Sequence, residues 1–282
     1  MIPQDDILKP DVLTVDDVMQ MVPKLAKYPK LVRRLFHWLK VDRINEYHSM
    51  AYDTPGAQCA TRLINDAIKV KLKVDGEDVL DRLPEGAFIT VSNHPYGALD
   101  GIALIHLIGS RRPEFKVMVN MILNYIGGLR PNFIAVDAWR SNDPARKAVS
   151  VSGIRSCLRQ IQEGKPLGFF PAGAMSKVNW KWQQIDEQWK DSVLQLIYRS
   201  NVPVVPIYFH GGNSFWCNVM GHLCWQVRSL LLPRQIVRKS GKSLHVSIGE
   251  PISVEEQAAH RESPSTLGAF LRERTYALRS HK

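Results

Sequence analysis

Long apolar runs are missing from this sequence: nowhere do about 18 uncharged hydrophobic residues follow one another, which argues against a conventional membrane-spanning helix. Cysteine is scarce. Cys59, Cys157, Cys217 and Cys224 are scattered and form no C-x-x-C pair. That spacing argues against a disulfide framework and against a structural zinc site, so a reducing, cytosolic compartment is the expectation. The opening MIPQDDILKPDVLTVDD is acidic and has no apolar core, unlike a secretory signal. No G-x-S-x-G elbow is present, and Ser214 in GGNSFW lacks the flanking pattern, which weighs against a serine hydrolase. A Walker A loop is missing too, because Ala174 stands where the motif starting at Gly168 requires Lys. Internal repeats and low-complexity linkers are also lacking.

What is present fits a folded protein. The 282 residues are 45% hydrophobic and 23% charged, enough for one large domain or two small ones with a substantial core. Lys and Arg total 37 against 27 Asp and Glu, a formal charge of +10. Such an excess favours acidic partners: nucleic acid, anionic lipid headgroups or an acidic carrier protein. Nucleic acid is the weakest of these, since no zinc finger, RNP-like aromatic motif or long basic stripe accompanies the charge.

The charge is ordered along the chain. Asp5, Asp6, Asp11, Asp16 and Asp17 dominate the first twenty residues, whereas Lys24, Lys27, Lys30, Arg33, Arg34, Lys40 and Arg43 follow with only Asp42 between them. Val32, Leu35, Phe36 and Leu39 recur there at helical spacing, widened by Leu31 and Trp38. A basic amphipathic helix with a Trp suits a membrane surface; equally, it suits a helix packed on the main domain with its basic face in water. A second helix is predicted over 61–71. Apolar strand candidates follow at 88–92, 116–120, 133–136, 167–170, 203–209 and 244–248, with helical patterns at about 101–109, 145–163 and 183–200. This alternation predicts an α/β fold: a central, largely parallel sheet flanked by helices, with a helical extension at 1–79 preceding a domain at 80–282. The stretch 208–232 is aromatic-rich and carries Arg228 as its one charge, so it either covers the core or dips into a lipid interface.

Chemistry concentrates in VSNHPYGALDGIAL, 91–104. His94 emerges where a strand gives way to a helix, at the sheet edge where open α/β folds place ligands. A turn at Gly97 would fold Asp100 back to the imidazole, fix its tautomer and prepare His94 as a general base. The plainer alternative is a turn histidine and a carboxylate in the favourable first turn of a helix. In LGFFPAGAMSK, 167–177, another strand ends in a turn. Its free N–H groups would hold a carbonyl oxygen or a phosphate, with Lys177 as a nearby point charge; a purely structural turn explains it as well. Pro203 and Pro206 lie inside the apolar run 202–209 and suit an edge or a strand terminus, shaping a cleft wall.

Taken in order, His94–Asp100, Phe170-Pro171-Ala172-Gly173 and Val202-Pro203-Val204-Val205-Pro206 resemble the motifs of the lysophospholipid acyltransferase superfamily, to which 1-acylglycerol-3-phosphate acyltransferases belong. The resemblance spans roughly 84–250. Three departures mark a subgroup. The spacing is H-x5-D rather than H-x4-D; Ala172 replaces the usual Glu; and NFIAVDAWR, 132–140, offers only a displaced Arg140 for the second motif. These features look like the bacterial haemolysin-like subgroup with HPxGxLDG and FPAG motifs, which includes O-acyltransferases of ornithine and glycine aminolipids.

The resemblance implies an enzyme with His94 as base, Asp100 orienting it, and an acceptor and acyl site drawing on Gly97, Arg140, Phe170, Pro171, Gly173, Ser176 and Lys177. Backbone N–H groups around Gly173 would face the oxyanion. It implies neither a metal nor a resident cofactor. The co-substrate would be an acyl thioester of acyl carrier protein or coenzyme A, both acidic, and the lysolipid would come from a membrane. A peripheral position on the cytoplasmic face of the inner membrane follows. The acceptor implied is a lyso-aminolipid, with lysophosphatidic acid as the alternative.

Overall fold

The computed structural model describes residues 8–137, 144–179, 183–214, 217 and 225–280. Its strands are β1 (Lys71–Asp75), β2 (Ile89–Ser92), β3 (Lys116–Asn120), β4 (Phe133–Val136), β5 (Leu167–Phe169), β6 (Lys177–Val178), β7 (Gln184–Ile185), β8 (Val204–Phe209) and β9 (Ser243–Ile248). Seven of them form one sheet in the order β1-β9-β8-β2-β5-β3-β4, while β6 and β7 make a separate antiparallel ribbon. Every pairing in the large sheet is parallel except β8 with β9.

The sheet is buried on both faces, which is why its inner strands read as unbroken apolar runs. Side chains alternate between two cores. Phe88, Val205, Ile207 and Phe209 pack with Leu99, Ile105 and Ile108 of the helix Ala98–Gly109. Ile89, Val91, Phe169 and Val204 pack with Leu194 and Ile197 of the helix Asp191–Ser200 and with Leu267 and Leu271 of the helix Pro264–Ala277. Phe88, Phe115, Phe169 and Phe209 are fully buried, each contributing about 1.5–3 kcal/mol by leaving water. The six expected strands are all found, as is the mostly parallel sheet flanked by helices with helices at the N-terminus.

Four local expectations need correction. The predicted helix over 61–71 ends at Ala67 in a π turn, and Lys71 instead opens β1, which pairs with β9. The sheet therefore extends across the expected boundary at 79/80. The helix expected over 183–200 begins only at Asp191, because 184–185 are drawn into the ribbon. Pro203 does precede its strand, yet Pro206 lies within β8, third of seven strands. Its missing N–H falls on the β9 side at the end of that ladder. There the Pro206 carbonyl still accepts from Gly249 N–H at 2.9 Å, and Gly249 lacks the Cβ that would sit 2.9 Å from the proline ring. Only one ladder bond is lost. Finally, the 24–43 stripe is divided. The helix Pro29–Leu39 buries Val32 and Leu39 but leaves Leu31, Leu35 and Trp38 about half exposed, and the chain turns at Lys40 through a left-handed conformation.

The N-terminal segment is tied to the helix Val41–Ser49. Asn45 Oδ1 accepts from Val12 and Leu13 N–H at 3.0 and 3.2 Å. His48 is buried, and Gly128 N–H donates to its Nε2 at 3.1 Å, so the ring must be neutral and its Nδ1–H donates to the Pro10 carbonyl at 2.8 Å. Burial holds its pKa below the ordinary value. The unfolded chain thus binds this proton more readily, and the stability His48 contributes is present above about pH 6.5 and lost as pH falls below it. Urea unfolding at pH 7.5 and 5.5 is expected to show a larger loss of stability for the wild type than for His48→Gln. Equal losses would remove His48 from this role.

Candidate active site

Strand β2 is the fourth of seven, and its parallel neighbours β5 and β8 run beside it in register, Val91 opposite Phe169 and Ser92 opposite Ile207. Three strands therefore end together and deliver His94, Phe170 and His210 to one edge. Asn93 locks two of them. Its side chain donates to the Phe209 carbonyl at 2.9 Å and accepts from Phe209 N–H at 2.7 Å.

After His94 the chain turns through Pro95, Tyr96 and Gly97 into the helix Ala98–Gly109. Gly97 has φ +76° and ψ −129°, a region nearly closed to other residues, and a Cβ there would lie 2.9 Å from Met175 Sδ and 3.0 Å from Leu232. Asp100 then points back. Its Oδ2 accepts from Tyr96 N–H at 2.8 Å and Gly97 N–H at 3.1 Å, and lies 3.1 Å from His94 Nδ1 by an oblique approach. Asp100 is fully buried, and burial pushes its pKa up; His94 and the two amides counter that effect. One carboxylate oxygen thus both caps the helix and faces the imidazole. The His94 side chain keeps 20% of its surface exposed, and its ring stacks on Phe170 at 4.1 Å between centroids.

The other expected site residues divide. Phe170 and Gly97 meet His94 directly or through its turn. Pro171 is buried, and its carbonyl accepts from Lys190 N–H at 2.9 Å. Gly173 has φ +64° and is exposed, but its own N–H donates to the Phe170 carbonyl at 2.9 Å, so that amide is not free to meet an oxyanion. Ser176 is fully buried and bonded to the His94 backbone, which corrects its placement among substrate-contacting groups. Lys177 is paired with Glu187 rather than held as a lone point charge. Arg140 lies outside the described residues.

Two contributors were missed. Asp186 Oδ1 accepts from His94 N–H at 3.2 Å; the signal was hidden because 183–200 reads as helix. Arg228, the one charge of 208–232, is buried and donates to the carbonyls of Met175 at 3.2 Å and Ser176 at 2.5 Å, bracing the turn after Pro171. Much of 208–232 lies outside the described residues. Within the rest, Tyr208, Phe209 and Cys217 are buried and Leu230 is exposed, so the core-covering reading holds for the first three.

One further titratable cluster lies on the His210 side. Ligand atoms of Asp75, His210 and His245 fall within 4.8 Å of one another. Yet the two imidazoles stack at 3.9 Å with planes 9° apart, so their ring planes do not converge on one ion. The Nε2 atom of each ring also has a protein partner: that of His245 pairs with Asp75, and that of His210 with Ser247 at 2.7 Å.

A model of the acyltransferase family matches residues 22–281. The chain belongs to the acyltransferase family. A lyso-glycine lipid O-acyltransferase from Bacteroides thetaiotaomicron is 26% identical over 254 residues, covering 85% of this chain and 88% of that protein. Another lyso-glycine lipid O-acyltransferase, from Phocaeicola vulgatus, is 24% identical over 256 residues, covering 88% and 87%. Among solved structures, the 1-acyl-sn-glycerophosphate acyltransferase PlsC from Thermotoga maritima aligns over 94% of this chain and 92% of its own at 14% identity and a TM-score of 0.48. Among the described residues of this acyltransferase, no helix is long and apolar enough to cross a membrane.

The Gly97 turn of the acyltransferase is expected to tolerate no side chain. Gly97→Ala should lower unfolding stability by about 1–3 kcal/mol in urea titration, from backbone strain and the clash with Met175 and Leu232. An unchanged midpoint would contradict that.

Proposed function

We propose that this enzyme moves a fatty acyl group from an acyl thioester to the hydroxyl of a lyso-aminolipid of the glycine or ornithine type. The observation that carries the acceptor assignment is the match to two lyso-glycine lipid O-acyltransferases along most of both chains. Ala172 supports it: the superfamily resemblance places there a Glu that helps hold a glycerol-phosphate headgroup, and this chain has none at that position.

With Nδ1 turned to Asp100, Nε2 is the ring nitrogen left to take the proton of the acceptor hydroxyl. The alkoxide oxygen attacks the thioester carbonyl, the tetrahedral intermediate collapses, and the thiolate leaves, receiving the proton from the imidazolium. Asp100 orients the ring and stabilises its cationic form. Phe170 holds the ring plane by stacking. Other amides of the turn around Gly173 take the oxyanion role, since that of Gly173 is engaged.

Acyl carrier protein is our choice of donor, because an acidic carrier complements the +10 chain. The acceptor would be met at a lipid surface, on the cytoplasmic face of the inner membrane. Tyr28, Leu31, Leu35 and Trp38 expose an apolar face, and Arg234 stacks on Trp38 at 4.7 Å and donates to its carbonyl at 2.9 Å. Two residues earlier Leu232 packs against the Gly97 turn. One short helix, Leu232–Lys239, thus links the exposed face to the catalytic turn.

The test offers labelled long-chain acyl carrier protein to purified enzyme with liposomes containing lyso-glycine lipid, lyso-ornithine lipid or lysophosphatidic acid. Transfer to the N-acylated amino acids is expected, and His94→Ala should reduce it by about 10²–10⁴-fold while remaining folded. Transfer confined to lysophosphatidic acid would overturn the acceptor assignment, and full activity of His94→Ala would overturn the base. In flotation assays with anionic liposomes, the triple change Leu31→Ser, Leu35→Ser, Trp38→Ser should weaken binding at least about tenfold. Undiminished flotation would return this helix to a purely internal role.

A further inference from the structure

We propose that Asp186 is a positioning residue for His94, acting with Ser176 as a clamp on the histidine's backbone. The proposal rests on the acyltransferase reading and deepens it. A catalytic imidazole is only as well placed as the peptide that carries it. His94 follows the last residue of β2 by two positions, beyond the help of the sheet ladder. Its backbone is instead held by groups far away in sequence.

The His94 N–H has two acceptors, Ser176 Oγ and Asp186 Oδ1, each at 3.2 Å. The His94 carbonyl accepts from Ser176 N–H at 2.9 Å. The Ser176 hydroxyl donates to Asp186 Oδ1 at 2.5 Å, which turns its lone pairs toward His94 N–H. Both polar ends of the His94 peptide are thereby satisfied by this pair.

The β6/β7 ribbon explains how the two residues meet. Lys177 is paired with Ile185, so the next step of the same register sets Ser176 opposite Asp186 at the ribbon's open end. Asp186 is itself fixed. Its N–H donates to the Tyr276 hydroxyl and its carbonyl accepts from Arg272, both at 2.8 Å, so the helix Pro264–Ala277 braces the clamp.

The clamp is dry. Ser176 is fully buried, Asp186 is 3% exposed, and Asp186 Oδ2 has no hydrogen-bond partner among the described residues. A buried carboxylate with one unpaired oxygen costs stability. What the geometry uses is the acceptor oxygen Oδ1, placed where it receives two donors.

Two substitutions separate an acceptor from a filler of space. Asp186→Asn keeps an oxygen at Oδ1, whereas Asp186→Leu keeps the volume and removes it. The expected result is that Asp186→Asn retains most of the wild-type kcat. Asp186→Leu should lose kcat by about 10²-fold with KM for the acceptor lipid unchanged, as a small misplacement of a reacting group does. Hydrogen–deuterium exchange provides a readout without substrate: the His94 amide should exchange faster in Asp186→Leu than in wild type or Asp186→Asn. Equal losses in Asn and Leu variants would overturn the clamp, as would wild-type kcat or exchange in Asp186→Leu. If Asp186→Leu does not fold, Ser176→Ala decides. It should show lower kcat at constant KM and faster exchange at His94, and wild-type values would overturn the proposal. Because exchange is read on the free protein, a wild type inactive on every acceptor would count against the proposed function while the clamp is still judged.

Discussion

Asp100 is withdrawn from water entirely, and it can stay there because three groups converge on one of its oxygens: Tyr96 N–H, Gly97 N–H and His94 Nδ1. Removing any one would leave the charge less compensated in a setting where that is costly. The requirement constrains everything nearby. The turn must bend sharply enough to bring the amides round, which demands Gly97. The helix Ala98–Gly109 must start where the carboxylate points back, and the imidazole must lie over the same oxygen.

The parallel sheet supplies the platform for that constraint. Strands in register end together, so a residue two positions past β2 meets one just past β5 without any local sequence relation between them. Phe170 covers one face of the histidine ring, and Arg228, 53 residues beyond Met175 in the chain, props up the carbonyls that follow. A buried Arg held by backbone carbonyls shapes a loop, where an exposed one would only add charge.

Outside the site, the same molecule divides one amphipathic helix between two environments. Val32 and Leu39 satisfy the core, whereas Leu31, Leu35 and Trp38 remain on the surface. The single stripe seen in the sequence did not have to serve one purpose, because at 3.6 residues per turn these positions cover more than one side. The charge excess around it favours acidic surfaces without selecting one.

Periodicity and punctuation alone determined much here. Strands buried on both faces announce themselves as apolar runs, and the six so marked were found; His94, Pro95, Gly97 and Asp100 stand close enough in the chain for their turn to be inferred. Tertiary structure decided the rest. The polar alternation of Lys71–Asp75 marked no strand until β9 offered it a partner, and Pro206 is tolerated inside the sheet only because Gly249 makes room beside it. Ser176 and Lys177 are neighbours in sequence, yet one is sealed under His94 and the other pairs with Glu187 at the surface. Asp186 lies 92 residues from His94, and no local pattern predicts their hydrogen bond. Short-range steric and hydrophobic preferences are written in the order of residues; a contact between distant segments exists only once the sheet and the ribbon have brought their backbones together.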